Sequence, residues 1–171
     1  WWFSKTPYEG KHKLDKRVEK NLELGEKFIE IGVPRKQIFI SGHSCGGLLT
    51  LMLLAAHPEK VGGGISYMQA CFGKLSSKYK VKKVGPEEAL VKFAKKRPGP
   101  SELRARQINN IKQSNNVPVL AFTHPRDKWE GLLSDWLEEV PGVKRIVISE
   151  DYKINGKTCI VKGDNWQENI T

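Results

Sequence analysis

From Asp15 to Ile31 apolar residues return at helical intervals, at Val18, Leu22, Leu24 (or Gly25), Phe28 and Ile31, with charges between them. That spacing predicts a helix over 15–31. Gly32 ends it and Pro34 bars simple continuation. The run Gln37–Ser41 is apolar without alternation, the pattern of a parallel strand covered on both faces. A second helix follows over 45–56 and stops near His57-Pro58. Val61–Cys71, with GGGISYMQA inside it, is the next strand, though its glycines weaken it. Pro86–Lys96 reads as a helix opened by Pro-Glu-Glu, a favourable start at the positive end of the helix dipole. Pro98-Gly99-Pro100 breaks it, and a further helix runs from Ser101-Glu102 to Ile111. Val117–Thr123 is the clearest later strand. Trp129–Val140 carries an apolar stripe at Trp129, Leu132, Leu133, Trp136 and Leu137, which predicts a helix packed on the core. Val143–Ser149 and a short Lys157–Val161 complete the strands. Strands alternating with helices at these lengths predict an α/β fold, a three-layer, mostly parallel sheet with flanking helices.

Composition narrows the class without naming it. The 171 residues fit a single domain over 1–171, with material for a real core. No apolar run reaches the length of a membrane-spanning helix. The start, WWFSKTPYEG, has neither Met nor signal-peptide architecture, which fits a fragment or processed product. Cytoplasmic and secreted locations both stay open, as does the oligomeric state. Three cysteines, Cys45, Cys71 and Cys159, argue against a disulfide-dense scaffold or a structural zinc site, and one bridge between Cys71 and Cys159 is conceivable. Asn169-Ile170-Thr171 matches a glycosylation acceptor pattern, weak evidence at three letters.

The net charge of +10 is concentrated. Residues 74–106 hold eleven Lys or Arg against three Glu. The stretch 74–112 therefore reads as a basic helical excursion of the kind that can cap a site. Such charge favours anionic partners. No aromatic interleaving or nucleic-acid motif accompanies it, so a solvated basic face is expected and no specific nucleic-acid partner.

The candidate chemistry lies at residues 38–47, IFISGHSCGG. A β-branched and aromatic run leads into Gly42-His43-Ser44-Cys45-Gly46, and the apolar LLTLMLLAAH follows at once. Strand, sharp turn and helix around G-x-S-x-G give the motif its mechanical meaning, a serine lifted clear of a sheet. The helix start behind it offers unpaired N–H groups to a developing oxyanion. This arrangement resembles the nucleophile elbow of the α/β-hydrolase superfamily, nearest its compact carboxylesterase, dienelactone-hydrolase or secreted depolymerase branches. The resemblance covers roughly residues 15–150, with the early strands of that fold missing.

The resemblance implies Ser44 as nucleophile and the Cys45 N–H as one oxyanion donor. Gly42 and Gly46 shape the turn, and Gly47 brings helix and sheet together. Asp127, just beyond a strand in VPVLAFTHPRD, matches the superfamily's acid-bearing loop. Its plain alternative is a helix N-cap before Lys128-Trp129-Glu130. A histidine is expected after the acid, yet the four histidines, His12, His43, His57 and His124, all precede Asp127. His43 is read as structural or pocket-lining, and His124 as pocket-lining or, less simply, a non-standard base. His57 sits at a helix terminus and His12 in a basic lead-in. Three explanations stand open: a histidine beyond Thr171, a replaced histidine with crippled chemistry, or a base from another chain. The leading expectation is a serine esterase acting on a small-molecule ester, polar or anionic, without cofactor or metal. A noncatalytic hydrolase-like binding or structural protein is the alternative, and a basic RNA- or membrane-associated module is third.

Overall fold

Four short strands make one parallel sheet, in the order β1 (Phe39–His43), β2 (Gly63–Tyr67), β3 (Val119–Thr123) and β4 (Val143–Val147). The computed structural model describes residues 13–151 and the backbone of 153–154 and 157–158. Helix α1 (Lys13–Glu30) precedes β1, and α2 (Cys45–Ala56) joins β1 to β2. Between β2 and β3 come α3 (Leu75–Lys78), α4 (Val81–Val84), α5 (Pro86–Lys96) and α6 (Pro98–Lys112). A separate antiparallel pair joins β5 (Lys153–Ile154) to β6 (Lys157–Thr158). His12, Cys159 and the Asn169–Thr171 pattern lie outside the described residues.

The main core forms where α2 lies on the sheet. Gly64 of β2 makes this approach possible, because a Cβ there would meet Leu54 Cδ1 at 2.6 Å and Thr50 Cγ2 at 2.7 Å. Leu51, Leu53 and Leu54 are fully buried, together with Val117, Ala121 and Leu137. Leu14 and Val18 of α1 and Ile111 of α6 close the same cluster. A second core joins Leu75, Tyr79, Val81, Ala89 and Phe93 to Leu133. The 74–112 stretch thus has an apolar interior under its basic surface.

Four expectations need correction. Residues 129–140 are not an α-helix but two 3-10 segments, Gly131–Leu133 and Asp135–Glu139. Side chains take the backbone groups an α-helix would use: Ser134 Oγ donates to the Glu130 carbonyl and Arg104 Nη2 to the Leu133 carbonyl. The apolar stripe still packs inward, with Leu133 and Leu137 buried. Pro98-Gly99-Pro100 does not separate two helices; Arg97 does, and Pro98 opens α6, where its missing N–H costs nothing. Strand β1 is not covered on both faces among the described residues, for it is a sheet edge and Phe39 is 67% exposed. The bridge is Cys45–Cys71, not Cys71–Cys159.

Candidate active site

Ser44 occupies the corner between β1 and α2 with φ 56° and ψ −122°. A non-glycine residue at positive φ is costly, so such a conformation persists only where its surroundings hold it. They do so through close backbone approach. A Cβ on Gly42 would overlap the Gly46 carbonyl, and one on Gly47 would meet Ser66 Oγ at 2.8 Å and the Tyr67 carbonyl at 3.1 Å. Gly46 itself faces open space, so the turn needs its backbone rather than its lack of a side chain. Behind the corner, Leu48 N–H closes the first turn of α2 on the Ser44 carbonyl at 3.2 Å. The amides of Cys45, Gly46 and Gly47 start the helix and have no carbonyl one turn earlier within it, which makes this end a site of positive potential.

Residues 67–71 clasp this corner. Ser44 N–H donates to the Tyr67 carbonyl (3.0 Å), Ala70 N–H donates to the Ser44 carbonyl (3.2 Å), and Ser44 Oγ donates to the Ala70 carbonyl (2.9 Å). The disulfide Cys45–Cys71 joins the residue after Ser44 to the residue after Ala70. Met68, at φ 45°, is strained in the same sense as Ser44. Farther along, Glu130 Oε1 accepts the N–H groups of Cys71 (3.2 Å) and Phe72 (3.4 Å). Glu130 Oε2 is held by Arg104 Nε at 2.7 Å, with both side chains 8% exposed. Gln69 Nε2 donates to Ser134 Oγ at 2.9 Å.

Asp127 stands in the loop after β3. Its Oδ1 accepts Trp129 N–H and its Oδ2 accepts Glu130 N–H, each at 3.1 Å. The carboxylate thereby fixes the loop that delivers Glu130. Its charge also reaches two histidines. Burial holds the His43 pKa below its ordinary value, against the opposing pull of Asp127. Burial likewise lowers His124, and Glu150 and Asp127 oppose that shift while Arg126 adds to it. His124 Nδ1 accepts Arg126 N–H at 3.0 Å, which places the imidazole proton on Nε2. That nitrogen is buried without a hydrogen-bond partner among the described residues. His124 therefore has no free lone pair to offer as a base in this tautomer.

The structure brings Ser44, Cys45, Gly42, His43 and Gly46 into one corner and sets Asp127 within electrostatic reach of His43. The hydrogen bond of Ser44 Oγ goes to a carbonyl. Sequence reasoning missed the Ala70 carbonyl, Glu130 and Arg104. None of these belongs to a local motif, and only Cys71 carried a signal in its residue type. A groove of about 590 Å³ between α1, α2 and α6 lies elsewhere, lined by Val18, Leu22, Met52, Arg106 and Gln107 among others. Among the described residues no group of three His, Cys, Asp or Glu could hold a metal, and no helix is long and apolar enough to cross a membrane.

No family model and no curated protein sequence matches the chain. Among solved structures, it is similar to a fungal esterase from Rhizomucor miehei at 17% identity and a TM-score of 0.50, covering 82% of this chain and 51% of that one. A prolyl endopeptidase matches at 17% identity and a TM-score of 0.50, covering 77% of this chain and 22% of that one. SOBER1 of Arabidopsis thaliana matches at 20% identity and a TM-score of 0.44, covering 83% and 55%. The chain thus spans about half the length of the esterase it resembles. Together with the four-stranded parallel sheet and its flanking helices, the two matches at a TM-score of 0.50 show that the chain has the α/β-hydrolase fold in part.

Proposed function

We propose that this chain carries the nucleophile side of a serine hydrolase acting on carboxylic esters. The observation that carries the reading is Ser44 itself, a non-glycine residue held at φ 56° between a strand and a buried helix. Glycine would relieve that conformation, so a side chain kept there is kept for its hydroxyl. The similarity to an esterase supports the same class.

In this reading Ser44 Oγ attacks the ester carbonyl and its proton passes to a base. The Cys45 N–H, at the positive end of α2, holds the oxyanion. The leaving alcohol takes the proton as the acyl-enzyme forms, and water then releases the acid. Asp127 is the acid, with two of its acceptor sites already used on the backbone of residues 129 and 130. Neither the Ala70 carbonyl, which the Ser44 hydroxyl meets, nor His124, whose Nδ1 lone pair is engaged, is that base. The chemistry so written needs no cofactor or metal.

The excursion 74–112 is read as a cap that biases the site toward polar or anionic esters. Its first helix lies beside the acid loop, through Ser76 N–H to the Trp129 carbonyl (2.7 Å) and Ser77 N–H to the Lys128 carbonyl (3.0 Å). Lys74 Nζ sits 5.4 Å from the Trp129 ring centre.

Hydrolysis of short-chain p-nitrophenyl esters, neutral and carboxylate-bearing, tests this reading. Ser44→Ala should fall to the buffer rate. Anionic esters should show the higher kcat/KM, with an advantage that shrinks as salt is added. One observation favours a second reading, a noncatalytic binding protein: the Ser44 hydroxyl rests on a carbonyl rather than an imidazole. Equal background rates for the chain and Ser44→Ala, with ester analogues still bound, would select it.

A further inference from the structure

The disulfide lies one residue from Ser44 on one side and one residue from Ala70 on the other. Cys45 is the residue whose N–H faces the oxyanion, and Cys71 follows the carbonyl that accepts the Ser44 hydroxyl. We propose that Cys45–Cys71 is a positioning element, and that its reduction loosens residues 68–70 from the elbow and slows Ser44 without unfolding the chain. This rests on the hydrolase reading for its consequence, though not for its structural part.

Three features support a local and reversible effect. Ser44 (φ 56°) and Met68 (φ 45°) are both strained, on the two segments that the bridge ties together. Once the tether opens, three hydrogen bonds between Ser44 and residues 67–70 remain to hold that strain. The far end stays anchored independently. Glu130 keeps the Cys71 and Phe72 amides, and the buried Arg104 keeps Glu130. Loosening is therefore confined to the stretch that touches the nucleophile. Both cysteines are only partly buried, so a small reductant can reach them.

The step is ordinary thiol–disulfide exchange. One thiolate of a dithiol such as dithiothreitol attacks a bridge sulfur and displaces the other cysteine as thiolate. The second reductant thiol then closes a ring on the mixed disulfide and frees the first cysteine. Two electrons and two protons pass to the protein, and the dithiol leaves oxidised.

The test uses the chain carrying Cys159→Ser, so that one bridge alone responds, in oxidised and dithiol-reduced forms beside Cys45→Ala/Cys71→Ala. Amide hydrogen exchange and the rate of covalent labelling by a fluorophosphonate are read on each. Opening the bridge should cost protection at the Ser44 and Ala70 amides, which bond across the clasp, while Cys71, Phe72, β3 and the rest of α2 stay protected. The maximal labelling rate should fall about tenfold to a hundredfold with little change in the probe's half-saturating concentration, the signature of a misplaced nucleophile. Reoxidation should restore both in the Cys159→Ser chain and neither in the double-alanine variant. Unchanged exchange at Ser44 and Ala70 would overturn the proposal, as would protection lost across β3. A fall in labelling with no local exchange change would overturn it too. No labelling in any form, with the local exchange change present, would uphold the tether and refute the hydrolase reading.

Discussion

Along β3 the sequence VLAFT is apolar almost throughout, yet its two faces meet different surroundings. Val119, Ala121 and Thr123 are buried, with Val119 and Ala121 level in the sheet with Gly64 and Ser66, the face on which α2 lies. Leu120 is exposed on the other face, where Phe39 is 67% exposed among the described residues. Tyr67 and Phe122 stack on each other there, with ring centres 5.3 Å apart. On the packed face an added methyl would collide, while on the open face whole aromatic rings stand free. The lesson concerns what the chain does by itself. The α2 face builds and holds the serine corner with its own glycines, disulfide and buried ion pair. The other face has side chains suited to burial and no cover from the described residues.

The sharpest break in this comparison comes from Glu130→Ala. It strands the Arg104 guanidinium in a buried setting and frees the amides of residues 71 and 72. Removing one partner of a buried pair costs about 3–5 kcal/mol, visible as a lower urea midpoint. Next is a paired substitution across the sheet. Leu54→Ala, under the fully buried end of α2, should cost about 2–5 kcal/mol. Phe39→Ser on the open face should stay within about 0.5 kcal/mol. A large loss from Phe39→Ser would show that the open face is covered in solution.

Ser44→Gly should abolish labelling and yet raise the melting temperature, because glycine relieves a backbone strain of about 1–3 kcal/mol. A stability gain beside a loss of chemistry separates the functional corner from the packed face around it. The smallest effect is one of pH. His43 and His124 are both held below the ordinary histidine value of 6.5, chiefly by burial. As pH falls through that value the unfolded chain takes up protons that the folded chain refuses, so their contribution to stability is complete above it and declines below. Melting temperatures measured from about pH 7 to about pH 5 should therefore fall, and less steeply in His124→Asn.

What the sequence disclosed follows from how local each signal was. The elbow helix and the Pro86–Lys96 helix carry their own start and stop residues, and both appear at the expected bounds. The apolar stripe of residues 129–140 pointed to the core correctly and to the wrong helix. Periodicity reports a buried face, while the 3-10 geometry there comes from Asp127, Ser134 and Arg104 bonding to the backbone. Uniform apolarity in β1 announced a strand made for burial and could not say what would bury it. At the candidate site the serine corner was legible because glycine spacing is a local steric requirement. The clasp around it was not, because Ala70, Arg104 and Glu130 meet only through the fold and two of the contacts use nothing but backbone.

The central claim is that Ser44 is an activated nucleophile held in place by this corner. Intact-mass analysis after exposure to a serine-directed fluorophosphonate, with Ser44→Ala alongside, tests it most directly. A single adduct on the oxidised chain, absent from Ser44→Ala, is the predicted result. No adduct on chain shown to be folded, or one that survives Ser44→Ala, would contradict the account.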